Sequence, residues 1–276
     1  MVFYLLLLIK SLYLQPLILK TSSMKKIRRK IVFLFFMCFS LLTLNTTYSE
    51  AMYEKDTIST SDGDLIISFI GHASLMFEFK NLTIHIDPVM QEGDYSKMPK
   101  ADLIIVTHEH FDHLDLTAIK HLTKAGTKLI VTNGCVHNTE YLSNADVMEN
   151  GDKTSFKGII IKAVPAYNIK HKRSDGNPFH PKGQGNGYIL SFGNTNVYVA
   201  GDTENIPEMK DLTDIDIAFL PMNLPYTMTP EMVAEAARVF KPKILYPYHY
   251  GNTNTRELVN LLKANPEIEV RIRDLK

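Results

Sequence analysis

The chain has 276 residues, 30 Lys and Arg against 30 Asp and Glu, and a formal net charge of zero. That balance provides no positive field for a phosphate backbone, so a nucleic-acid partner is not expected. Hydrophobic residues make up 45% of the chain, enough for a sizeable core, and two cysteines are too few for a disulfide framework.

In chain order, the first feature is a leader. From Met24 the sequence reads Lys25-Lys26-Ile27-Arg28-Arg29-Lys30, an apolar stretch over 31–44, then polar and small residues including Ser49 and Ala51. A basic start, a short apolar centre and a small-residue exit predict a secretory signal peptide. The apolar centre is shorter than the roughly 20 residues of a spanning helix, so no stable membrane insertion is expected after cleavage, with an uncleaved anchor as the alternative. Translation is expected to begin at Met24, and the product is expected to be exported, to a periplasm or the medium. Residues 1–51 are thus read as leader and 52–276 as one domain. Cys38 falls in the leader, leaving Cys135 alone, read as a small buried hydrophobe.

After the leader, residues 65–70, 74–79 and 83–86 read as a meander of strands with turns at Gly71 and Asn81. The apolar run over 103–106 is a buried strand, and 115–125 a helix capped by Asp115 and stopped at Gly126. A short strand over 129–132 follows. Residues 155–163, 187–192 and 196–200 form a second antiparallel series, with a hairpin at Gly193-Asn194. A strand over 215–221 leads to a helix over 231–240, with Thr229 as its cap and Pro230 in its first turn. A helix over 254–264 and a strand over 270–272 close the chain. Two strand series interleaved with helices predict two packed sheets with helices outside.

The densest chemistry follows the 103–106 strand, in Thr107-His108-Glu109-His110-Phe111-Asp112-His113. Imidazoles and a carboxylate at a strand's end suit a borderline divalent ion such as zinc. His108-Glu109-His110-Phe111-Asp112-His113 resembles the His-x-His-x-Asp-His signature of the metallo-β-lactamase fold. Three further stretches resemble that family in its own order: Gly71-His72-Ala73-Ser74 with Ile84-His85-Ile86-Asp87-Pro88, then Gly201-Asp202-Thr203, then Tyr248-His249-Tyr250. The first pair is most similar to the branch holding ascorbate-phosphate lactonase-like and phosphodiesterase-like enzymes.

The resemblance implies an α/β fold, the four-layer αββα sandwich, and two divalent ions, zinc first, with manganese or iron as alternatives. His108 and His110 would hold the first ion, Asp112, His113 and His249 the second, and Asp202 would bridge. The family's third histidine for the first ion falls on Asn168, a poor zinc ligand. His180, between Pro178 and Pro181, is the favoured substitute; His171, in a cationic run, and a site lacking one ligand are the alternatives. Asp112 is also read as a catalytic group that orients water or relays a proton, and His72 as a substrate-contacting or supporting residue. Asp87 is expected to support a ligand histidine, and His85 to be either functional or a core residue. His121 and His137 are given no role.

The implied activity is metal-dependent hydrolysis of an ester, lactone or phosphodiester in a small molecule, through a metal-bound hydroxide. A metal-binding protein without catalysis is the alternative, prompted by Asn168. A di-iron oxidoreductase is less favoured, because His110 stands where that branch usually carries glutamate.

Overall fold

The computed structural model describes residues 53–137 and 139–275. The leader expected over 1–51, with its cleavage site, lies outside the described residues.

Two seven-stranded sheets each keep their strands in chain order. The first comprises β1 Glu54–Thr60, β2 Gly63–Gly71, β3 Ser74–Phe79, β4 Leu82–Ile86, β5 Leu103–Ile105, β6 Lys128–Val131 and β7 Asp146–Val147. The second comprises β8 Lys153–Phe156, β9 Ile159–Ala166, β10 Gly185–Phe192, β11 Thr195–Val199, β12 Ile217–Pro221, β13 Ile244–Tyr248 and β14 Glu269–Val270. In each sheet the first four strands pair antiparallel and the last four parallel. The halves therefore repeat one pattern, and corresponding strand ends meet on one rim.

Alternation places the core. Phe77 and Phe79 of the first sheet and Phe192, Phe219 and Tyr246 of the second meet between the sheets, with Phe219 and Tyr246 rings stacked at 4.9 Å. Residues of opposite parity face outward. Met76, Ile104 and Val131 pack with Ala118, Ile119 and Leu122 of α1, Leu116–Leu122. Behind the second sheet, Tyr198 meets Phe240 of α3, Pro230–Phe240. Short helices α2, Asn133–His137, and α4, Thr255–Leu261, complete the α-helices among the described residues, so the expected αββα layering is present.

Three local readings needed correction. The 155–163 strand is two strands, because Lys157 (φ 46°) and Gly158 (φ 89°) form a two-residue hairpin turn that joins Phe156 to Ile159. Both left-handed residues fit the twist of paired strands, but a lysine hides the signal that Asn-Gly would give. The first helix ends at Leu122 rather than near Gly126, because Thr123 turns extended and its N–H and hydroxyl both bond to the Ile119 carbonyl. Strand β1 was not expected at all, since its polar sequence and half-exposed edge carry little alternation. It is held in place by Asp56, which accepts from Tyr246 Oη and takes both oxygens to Arg273 Nη2 at 2.7 and 2.8 Å.

His85 is a core residue. It lies on the outward face of β4, fully buried, with Nε2 3.3 Å from the Pro99 carbonyl and its ring edge-on to Tyr95. Burial pushes its pKa down to about 4, so the folded chain keeps it neutral. The unfolded chain takes up a proton below about 6.5, so stability is full above that value and falls as pH drops toward 4. The loss attributable to His85 should approach about 3 kcal/mol. Denaturant melts across that window should show the loss in the parent and a shallower slope in His85→Gln; equal slopes would mean that other groups carry it.

Candidate metal centre

Apart from His180, in the loop between β9 and β10, each residue of the site stands just past the end of a strand on the shared rim. His72 follows β2, Asp87 follows β4, His108 to His113 follow β5, Asn168 follows β9, Asp202 follows β11 and His249 follows β13. His72 (φ 50°), Asp87 (φ 43°) and His249 (φ 48°) are left-handed, an unfavourable conformation for side chains that carry a Cβ. Such strain concentrates where function dictates side-chain placement. Gly201 (φ 64°) is required for another reason. A Cβ there would lie 2.7 Å from the Asn186 carbonyl oxygen, so only glycine lets Asp202 approach the rim so closely.

Two groups of donors result. In the first, His108 Nε2 lies 3.1 Å from His110 Nδ1, which lies 3.2 Å from His180 Nε2. In the second, Asp112 Oδ2 lies 3.4 Å from His72 Nε2 and 3.7 Å from His249 Nε2, with His113 alongside. Asp202 stands between the groups. Its Oδ2 is 3.2 Å from His180 Nε2 and 3.4 Å from His249 Nε2, and its Oδ1 is 3.3 Å from His113 Nε2.

Outer contacts fix the rings. Asp87 is buried and accepts from Thr107 N (2.7 Å), Thr107 Oγ1 (2.7 Å) and His113 Nδ1 (2.8 Å), which turns His113 Nε2 toward Asp202. Thr107 Oγ1, having donated to Asp87, can accept from His108 Nδ1 at 3.1 Å, leaving His108 Nε2 for the first group. The supporting role expected for Asp87 is thus matched by its contacts. Thr107 escaped the sequence reading, although its place directly before His108 was a usable signal.

Charge is concentrated here. Burial, then the His113, His180 and His110 imidazoles, hold the His108 pKa well below the ordinary histidine value. His113 is buried too, but Asp202 and Asp87 on either side push its pKa well above that value. Asp202 is driven up by burial and down more strongly by His249, His113 and His180, and ends well below the usual carboxylate range. Asp112 follows the same balance, driven up by burial and down more strongly by the neighbouring His249, His72 and His113 imidazoles.

Residues present fit divalent ions on two observations. Among the described residues, His113 Nε2, Asp202 Oδ1 and both ring nitrogens of His249 are buried without a hydrogen-bond partner, a costly arrangement unless a cation meets them. Nitrogens at 2.0–2.1 Å from a tetrahedral ion lie about 3.3 Å apart, close to the first group's spacing.

All predicted site residues are on the rim. His72, expected to contact substrate or support the centre, falls within the second donor group itself. His180 completes the first group, whereas His171 turns away, with Nδ1 2.8 Å from Glu204 Oε1. Met228 is a core residue with no exposed surface, whereas Tyr226 is exposed and packs edge-on to Phe179. A recess lined by Glu109, His110, Phe179, His180 and Gln184 opens onto the first group, and Phe111 projects into solvent between the two groups' ligands.

Comparison with known proteins agrees. Residues 66–249 match the β-lactamase superfamily domain. A metal-dependent hydrolase of Thermococcus kodakarensis is 32% identical over 198 residues, 67% of this chain and 84% of that protein. A crystal structure from Parabacteroides distasonis, described as a metal-dependent hydrolase, is 50% identical, covers 81% of this chain and all of its own, and has a TM-score of 0.76. The metallo hydrolase Igni18 of Ignicoccus hospitalis shares the fold at a TM-score of 0.62 and 23% identity, covering 76% of this chain and 95% of its own. The chain belongs to the metallo-β-lactamase superfamily and stands among its metal-dependent hydrolases.

Asp87→Ala isolates the support of one ring. It removes the acceptor for three buried donors, so denaturant melts should show a loss of about 3–5 kcal/mol. Divalent-metal titration should show affinity lowered roughly 10–100-fold at the group holding His113. Unchanged affinity in a folded variant would mean that Asp87 does not orient His113.

Proposed function

We propose that the chain hydrolyses an ester, lactone or phosphodiester in a small molecule with two bound divalent ions, zinc by preference. The observation that carries this reading is Asp202, whose two oxygens face ring nitrogens of both donor groups. His108, His110 and His180 would hold one ion and Asp112, His113 and His249 the other, with Asp202 shared and His72 adjoining the second. When bound, such a pair supplies Lewis acidity and lowers the pKa of water toward neutrality.

The chain's own residues do the remainder. Asp112 is about one-third exposed and faces the mouth, so its Oδ2, beside His72 Nε2, can accept a proton from the attacking water or carry one to the departing oxygen. His72 is positioned to orient that carboxylate and can bond to a substrate oxygen. Phe179 lines the recess at the first group with exposed Tyr226 packed edge-on against it, Phe111 is exposed between His110 and Asp112, and Lys170 and Arg173 add positive charge on the adjoining loop. That mixture favours substrates with an apolar body and an anionic or carbonyl centre.

Export fits a signal peptide over the leader, with activity outside the cytoplasm. Among the described residues no helix is long and apolar enough to cross a membrane. The alternative of metal binding without catalysis began from a first site short of one donor. The third nitrogen that His180 Nε2 offers there, 3.2 Å from His110 Nδ1, supports the catalytic reading over it.

Metal analysis together with a panel of lactones, carboxylic esters and phosphodiesters is the test. Two ions per chain and turnover of one class are expected. Asp112→Ala should lower the rate by roughly 10²–10⁴-fold, and His110→Ala should lose metal as well as rate. A chain that holds two ions and turns over none of the panel would support the non-catalytic alternative. Full metal and rate in either variant would rule out the site drawn here.

A further inference from the structure

Asn168 occupies the strand end where the family resemblance would place a ligand histidine, and it is nearly fully buried. Its amide is bonded on every side. Oδ1 accepts from the His180 backbone N–H at 2.8 Å and lies 2.7 Å from His180 Nδ1. Nδ2 donates to the Tyr226 carbonyl at 2.9 Å and to Glu204 Oε1 at 3.2 Å.

Two of those partners are backbone groups whose roles admit no choice. The His180 N–H can only donate and the Tyr226 carbonyl can only accept, so the orientation of the amide is determined. Oδ1, an acceptor, therefore requires a proton on His180 Nδ1. That makes Nε2, 3.2 Å from both His110 Nδ1 and Asp202 Oδ2, the ring nitrogen left to meet an ion.

Glu204 holds Asn168 from the other side. Buried two residues after Asp202, it accepts the N–H groups of Ile169 (2.9 Å), Lys170 (2.7 Å) and His171 (2.6 Å), fixing the loop that begins at Asn168. We propose that Asn168, backed by Glu204, is a positioning residue that sets His180 in its Nδ1-protonated form and aims Nε2 at the first donor group. This rests on the reading that His180 holds an ion. On this account Asn168 is not a lost ligand. The ligand has moved to residue 180, and the former ligand position serves as its hydrogen-bond partner, the part a carboxylate or carbonyl commonly plays for a metal-bound imidazole.

The test uses the whole protein with zinc and cobalt(II) as probes. Long-range ¹H–¹⁵N spectra of the zinc-loaded parent should show His180 protonated at Nδ1 and bound through Nε2. A proton on Nε2, or binding through Nδ1, would overturn the proposal, and this measurement needs no variant. Asn168→Leu should weaken zinc at the His108, His110 and His180 group roughly 10–100-fold and alter the visible spectrum of cobalt(II) there, while the Asp112 group keeps its ion. Parent-like affinity and spectrum in a folded Asn168→Leu would contradict it. His180→Ala separates the two levels of the argument. If its first-group metal is unchanged, the ligand reading fails and this inference fails with it. Should His180→Ala lose that metal while Asn168→Leu retains it, the positioning role alone is wrong.

Discussion

The carboxylate of Asp202 is the constraint on which the arrangement of the rim depends. It is buried and faces imidazoles from loops of both halves of the molecule, His108 and His113 after β5, His180 before β10 and His249 after β13. A single buried carboxylate cannot satisfy so many rings, and several of their nitrogens find no hydrogen-bond partner among the described residues. An apolar interior would not tolerate that at a cost of about 1–3 kcal/mol per orphaned group. Cations placed between the rings and the carboxylates resolve the conflict, and the donor spacing suits them.

Seen this way, the fold is a means of bringing two strand-end rims together. Each sheet changes from antiparallel to parallel pairing at its fourth strand, and donor-bearing loops leave β2 and β5 in one sheet and β9, β11 and β13 in the other. Between the sheets, the Phe77, Phe192, Phe219 and Tyr246 rings lock the layers in register. A bond from the His249 N–H to the His72 carbonyl and another from the Asn186 N–H to the Thr107 carbonyl tie the rims directly. Packing thus fixes distances that loops alone would leave loose.

Much of this was legible in the sequence for physical reasons that can be named. Buried strands announce themselves through alternation or short apolar runs, so β2 to β5 and β10 to β13 were readable. Strand β1 was not, because an exposed edge needs no apolar pattern, and the Lys157-Gly158 turn was not, because lysine rarely takes a positive φ. The donor cluster was readable because six of its members, His108, His110, Asp112, His113, Asp202 and His249, lie in ordered motifs. The part of Asn168 was not, since it depends on Glu204, Tyr226 and His180 arriving from three separate loops. His72 was legible as a site residue but not as a member of the second donor group, a matter of a left-handed turn after β2.

The most direct measurement is a crystal structure of zinc-soaked protein with anomalous scattering recorded on both sides of the zinc edge. Two peaks are predicted, one among His108, His110 and His180 and one among Asp112, His113 and His249, each about 2.0–2.2 Å from an oxygen of Asp202. A single peak, or two peaks with Asp202 bonded to neither, would contradict the shared-carboxylate centre.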